Sequence, residues 1–132
     1  MIAYACTPAR GGEHLLGWEW ATRLSISHDV TVLTSADRLK ESDGQRPASL
    51  RMLPVPDSFI RPLKRMGLLG WHLYYRIWHV AAARLGRRLL AQERFDIVHQ
   101  CTFHTECRAD FREVCRHSFG GRLLGWSRFR SG

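Results

Sequence analysis

Lysine is almost absent from this chain: Lys40 and Lys64 stand beside eighteen arginines, and with twelve carboxylates the formal net charge is +8. The guanidinium is a permanently charged planar fork suited to carboxylate, phosphate and lipid-headgroup oxygens. Its excess speaks about partners and not about fold. Cysteine is scarce, with Cys6, Cys101, Cys107 and Cys115 alone. The opening "MIAYACTP" has no basic n-region and no apolar stretch of leader length, so neither a secretory leader nor an oxidising compartment is indicated. Long apolar runs are missing too. The best window, residues 66–85, is interrupted by His72, Arg76, His79 and Arg84, whereas a membrane span needs roughly 18 or more apolar residues in succession. The expected setting is cytoplasmic, peripheral to the inner membrane face at most.

What is present suits one domain. At 132 residues and 45% apolar content the chain can bury a core but not two. Residues 2–6 form a short apolar run, closed by the turn "TPARGG" and followed by helical periodicity over 13–25. There Leu16, Trp20 and Leu24 recur at helical spacing, Gly17 and Ala21 are small enough to let a helix approach a sheet, and Glu19 and Arg23 mark the other face. The β-branched "DVTVLT" predicts a second strand, "SADRLKESDGQRP" a polar loop, and "SLRMLPVP" a third strand that Pro54 and Pro56 end or place at an edge. Residues 63–92 read as one long helix. Its inner face carries Trp71, Tyr74, Trp78, Ala81, Leu85 and Leu89, and its outer face His72, Arg76, His79 and Arg87. "RFDIVHQ" follows, with Phe95, Ile97 and Val98 fitting a buried parallel strand. Alternating strands and helices predict an α/β fold: a Rossmann-like, doubly wound parallel sheet, here an incomplete single domain.

Three groups of residues carry possible chemistry. Gly11, Gly12 and Glu13 lie between the first strand and its helix, where free N–H groups and the helix dipole attract anions and glycine lets a ligand reach the backbone; a tight turn alone explains the same residues. His99 ends the strand "FDIVH", at the edge where open α/β sheets bind ligands, and Thr102 is the next polar residue that can face that opening. A structural histidine is the plainer alternative. The clustered His99, Cys101, His104, Cys107, Cys115 and His117 offer imidazoles and thiolates for zinc, but their intervals do not form paired knuckles. An alternative function is therefore a small zinc-binding or basic interaction protein built on Cys101, His104, Cys107 and Cys115. Arg61, Lys64 and Arg65, with Trp71 and Trp78, suggest a peripheral anionic membrane surface, against the simpler reading of an aromatic face packed on the sheet. The basic residues are scattered and no nucleic-acid module accompanies them, so no nucleic-acid partner is expected.

The stretches "RGGEHLLGWEWATRLSISHDVTVLTSADR" and "HLYYRIWHVAAARLGRRLLAQERFDIVHQCTF" resemble, in order, the N-terminal domain of retaining nucleotide-sugar glycosyltransferases of the two-Rossmann GT-B architecture, family 4-like. The glycine-glutamate loop, the "GWxWA" helix, the "VTVLT" strand, the "YYxxW" helix and the "FDxVHxxTF" strand carry the resemblance, which covers residues 2–103. It implies an acceptor-side, Rossmann-like domain over residues 1–103 of an enzyme that transfers sugar from a nucleotide-diphosphate donor to a polysaccharide or lipid-linked acceptor. Gly11, Gly12, Glu13, His99 and Thr102 would border the sugar cleft. Gly12 stands where the family has serine, so no hydroxyl is offered there. After Phe103 the pattern stops. Residues 104–132 hold six arginines and no lysine, and lack the family's second glycine-rich loop and its donor-binding domain. They read as a divergent, poorly ordered or out-of-frame tail, and the chain alone is expected to be inactive. No cofactor is expected within it.

Overall fold

The β-branched run "VTVLTS" and the alternating "LRMLPV" become β1 (Val30–Ser35) and β2 (Leu50–Val55), which pair in parallel from Val30 opposite Leu50 to Ser35 opposite Val55. The computed structural model describes residues 1–101. Along these the elements are α1 (Glu13–Leu24), β1, α2 (Ala36–Glu41), β2, a 3₁₀ helix (Arg61–Arg65) and α3 (Gly67–Gln92). The protein is mixed α/β, with a small two-stranded parallel sheet and three α-helices among the described residues. The reading of residues 104–132 as a separate tail lies outside them.

Two further segments extend the sheet by single bridges. Ile2 pairs in parallel with Leu33 on one side and with Gln100 on the other. The backbone bonds are Ala3 N–H to Leu33 O and Leu33 N–H to Met1 O, both 2.9 Å, then Ile2 N–H to His99 O at 2.8 Å and Cys101 N–H to Ile2 O at 2.9 Å. The lateral order is β2, β1, the Ile2 segment, the Gln100 segment. Full strands were expected at both added positions. Beyond Ile2 the ladder gives way to a side chain, the Thr34 hydroxyl donating to Tyr4 O at 3.2 Å, and Thr7 N–H turns to His14 O. The stretch before Gln100 is not the buried strand its apolar run suggested: Ile97 is 77% exposed. No described strand lies beyond it.

Side-chain alternation along the strands divides the core between two faces. Tyr4, Leu33 and Val55 pack under α3 with Tyr74, Trp78 and Ala82. Ala3, Val32, Leu50 and Met52 pack under α1 with Trp18 and Ala21. Pro54, which has no N–H to give, lies within β2, the edge strand of the described sheet, where proline is tolerated.

Both main helices sit differently from the periodicity reading. α1 buries Gly17, Trp18 and Ala21, while Leu16 and Trp20 are about half exposed, at 50% and 48%; only Leu24 of the expected stripe packs on the core. Small residues decide this. A Cβ at position 17 would collide with the carbonyl of Ala5, so the helix is seated on its glycine. The long helix expected from residue 63 is divided by Gly67, whose φ of 72° is left-handed and suits glycine. Tyr74 and Trp78 are buried as expected, but so is His79, expected on the wet face. Its ring stands edge-on to Tyr75 and Trp78 at 4.5 and 5.2 Å. Finally, the polar loop after β1 begins with a helix, α2.

Candidate functional site

The parallel segments end together on one side of the sheet, and the turns beyond them gather most of the polar side chains with specific partners. The first segment passes into a turn in which Ala9 N–H donates to the Thr7 hydroxyl at 3.2 Å. Gly12 caps α1 with φ 65°, making no side-chain cap, and its carbonyl accepts from Leu16 N–H at 3.0 Å. Gly11 and Gly12 are exposed, with no atom within 4 Å of where a Cβ would be. The backbone there is open to a ligand. Glu13 occupies the first turn of α1, where its negative charge offsets the helix dipole and lowers the affinity of that terminus for an anion.

Beside this turn lies a charged cluster. Glu41 Oε1 accepts from Arg38 Nη1 at 2.6 Å and from Arg10 Nη2 at 3.1 Å, joining the glycine turn to α2 across 31 positions of sequence. Burial opposes ionisation of Glu41, but the hydrogen bonds and charges of Arg38 and Arg10 outweigh it and hold the carboxyl below its usual range. The adjacent His14 imidazole is held low by burial, then by Arg38 and Arg10, with Glu41 partly offsetting. At neutral pH this makes His14 an uncharged ring beside two guanidinium groups.

A second cluster occupies the ends of β1 and β2. Asp57 is buried and accepts from the Tyr74 hydroxyl at 2.6 Å and from Arg61 Nε at 3.1 Å. Arg61 also pairs with Asp37 at 2.9 Å, and Lys64 reaches the other Asp37 oxygen at 4.0 Å. The Lys64 ammonium stands 4.2 Å from the centre of the Tyr74 ring and 5.5 Å from that of Trp71, within cation–π range. α2 thus sends Asp37 to one network and Arg38 with Glu41 to the other.

Of the residues the sequence singled out, Gly11, Gly12 and Glu13 lie at this edge. His99 takes part in the ladder through its carbonyl to Ile2, and its ring is 6.0 Å from that of Trp20. Trp20 lies eight residues along α1 from Gly12, roughly 12 Å by helical rise, so the ring of His99 meets the middle of α1 and not the glycine turn. Thr102 lies outside the described residues. So do His104, Cys107, Cys115 and His117, and among the described residues no group of three or more metal-binding side chains occurs. Cys101 packs against the α1-side core. Burial pushes its thiol up, and pushes that of Cys6 to about 12, so neither offers a thiolate at neutral pH.

Sequence reading missed Arg10, His14, Arg38, Glu41, Asp37 and Asp57, and named Tyr74 only as a core residue. The signal available was the i, i+3 spacing of Arg38 and Glu41 directly after a strand. The contacts of Arg10 and of Asp57 with Tyr74 are long-range and have no local pattern. Comparison with protein-family models, curated proteins and solved structures returned no match to this chain.

Proposed function

We propose that this chain is the acceptor-side half of a nucleotide-sugar-dependent glycosyltransferase with a Rossmann-like, doubly wound sheet. In this reading the donor-binding half lies outside these 132 residues. The observation that carries the reading is the lateral order of four parallel segments, β2, β1, Ile2, Gln100, with α1 and α3 on opposite faces and an open glycine turn where the first segment meets α1. A doubly wound sheet begins with this order, its first strand inside and a crossover to either side, and it binds ligands beyond the carboxyl ends of the strands.

The reaction is transfer of a sugar from a nucleotide-diphosphate donor to a hydroxyl acceptor with retention at the anomeric carbon. Gly11 and Gly12 let the acceptor or donor oxygens approach the backbone. The Arg10–Glu41–Arg38 cluster holds the turn against α2, and Glu13 and the neutral His14 are within the same neighbourhood as hydrogen-bonding groups. By the resemblance His99 and Thr102 would border the cleft from the neighbouring segment, His99 beside Trp20 and not at the glycine turn. Stabilisation of the departing diphosphate falls to the missing half, so the chain alone binds without transferring.

The test is titration of the ¹⁵N-labelled chain with a lipid-linked sugar in micelles and, separately, with nucleotide-diphosphate sugars, assaying product in parallel. Amide shifts centred on Gly11, Gly12 and Glu13, with no sugar transferred, are expected. Unchanged spectra with every ligand overturn the sugar reading, and transfer by the pure chain overturns its assignment as half an enzyme.

A further inference from the structure

Residues 58–92 contain no aspartate or glutamate, yet carry Arg61, Lys64, Arg65, Arg76, Arg84, Arg87 and Arg88. Arg61 and Lys64 are held by Asp37 and Asp57. The other five are exposed and make no ion pair among the described residues. At the head of this basic segment several large apolar side chains point into solvent: Phe59 before the 3₁₀ helix, Met66 after it, and Leu68 and Leu69 in the first turn of α3, the last two 75% and 81% exposed. Along α3 the outward stripe continues through Leu73, Arg76, Val80, Arg84 and Arg87, spaced to share one helical face.

We propose that this face lies on an anionic lipid bilayer, with Phe59, Met66, Leu68 and Leu69 entering the headgroup region and the α3 arginines meeting lipid phosphates. An amphipathic helix of this composition binds in the plane of the interface by apolar burial and attraction to anionic lipid together. α3 does not span: no described helix is long and apolar enough to cross a membrane. Charge complementarity selects this occupant over a second copy of the chain, because a two-fold contact through the same face would set arginines against arginines. Nucleic acid would meet the arginines but leave four large apolar side chains in water. Trp78, one of the two tryptophans the sequence suggested for such a surface, is wholly buried and takes no part. The bound orientation puts the head of α3, and with it the end of the sheet that carries the glycine turn, at the bilayer boundary. The proposal goes beyond the sugar-transfer reading and does not depend on it.

The experiment is vesicle flotation of the full chain with phosphatidylcholine alone and with about one-third phosphatidylglycerol, at low and raised salt, alongside the double variants Leu68→Ser/Leu69→Ser and Arg84→Gln/Arg87→Gln. All four positions are exposed, and circular dichroism checks that each variant folds; Phe59→Ser replaces any that does not. Binding to the anionic vesicles is expected, weakened by salt. The arginine variant should lose affinity about 25-fold, from roughly fivefold per cation at the surface, and the leucine variant about tenfold or more. Equal binding to neutral vesicles, an unaffected leucine variant, or a concentration-dependent dimer that the leucine variant dissolves without any vesicle binding each overturn the proposal. So does tighter binding to RNA that the leucine variant retains. No sugar ligand enters the experiment, so its failure leaves the sugar-binding titration standing, and the reverse.

Discussion

Two glycines in helix interiors separate packing from helix propensity. At Gly17 in α1 a Cβ would strike the carbonyl oxygen of Ala5, a backbone atom that cannot rotate away. At Gly86 in α3 the nearest atom to a Cβ is Leu33 Cδ1 at 3.8 Å, an ordinary contact, and the residue borders an apolar cavity of about 40 Å³. Replacing either with alanine gains about 1 kcal/mol of helix propensity. Gly86→Ala should therefore stabilise the protein by roughly 0.5–1 kcal/mol. In Gly17→Ala the same gain opposes a forced displacement of α1 costing about 1–3 kcal/mol, so the net change runs from near zero to a loss of about 2 kcal/mol. Propensity cancels in the difference between the variants, which isolates the packing cost. Urea unfolding followed by tryptophan fluorescence measures both, the comparison holding while the slope against urea is unchanged. A Gly17→Ala protein as stable as Gly86→Ala would refute the seating of α1 on Ala5.

Two further predictions concern the polar networks. Tyr74→Phe removes the bond to the buried Asp57 carboxylate and leaves that charge to Arg61; a loss of about 1.5–3 kcal/mol is expected in the same unfolding assay, and one under about 0.5 kcal/mol would show that Asp57 is satisfied without it. The depressed His14 gives stability that is complete above its ordinary pKa of 6.5 and is lost as pH falls through that value toward the folded one, since the unfolded chain takes up the proton first. The depressed Glu41 acts in the same direction at lower pH, from its ordinary 4.5 downward. Melting temperature should thus fall from about pH 8 in the native chain, first because burial lowers the Met1 amino group to about 6 from its ordinary 8.0, then through His14 and Glu41. The portion of the fall above pH 4.5 should shrink in His14→Gln, and identical profiles would remove His14 from the cluster.

The elements legible from sequence are those whose side chains declare a period or a preference. β-branched residues marked β1, alternation marked β2 with its prolines either ending it or placing it at an edge, and Tyr74 with Trp78 marked the inner face of α3. The face of α1 was hidden because its seating depends on Gly17 and Ala21, which carry little hydrophobic weight: the helix turns to bring its smallest residue against the sheet and leaves Leu16 and Trp20 half exposed. His79 was misread for the opposite reason, since it is enclosed by the aromatic neighbours Tyr75 and Trp78, which sequence spacing does not reveal. α2 was obscured by a polar composition that suits loops. Gly11, Gly12 and Glu13 were found because a glycine pair between strand and helix is a local signal. Their companions Arg10 and Glu41 meet through the fold.

The charge balance at the ends of the strands limits what the candidate site can recognise. Arg10 and Arg38 share one carboxylate, Glu41, and Arg61 and Lys64 are answered by Asp37 and Asp57. Glu13 opposes the positive end of α1. With His14 neutral, the surplus left beside the glycine turn is small, and a free phosphate would find no concentration of unpaired cations such as tight anion sites present. The unmatched charge lies instead on the outer face of α3, whose sequence includes four arginines and no carboxylate. A ligand at the glycine turn must then be held largely by hydrogen bonds to hydroxyls and backbone groups, which suits a sugar better than a bare anion. The attraction for phosphate belongs to a different face, where exposed leucines stand beside the arginines. Recognition of a polar headgroup at one place and of the lipid surface at another is what an acceptor carrying both a sugar and a lipid would require.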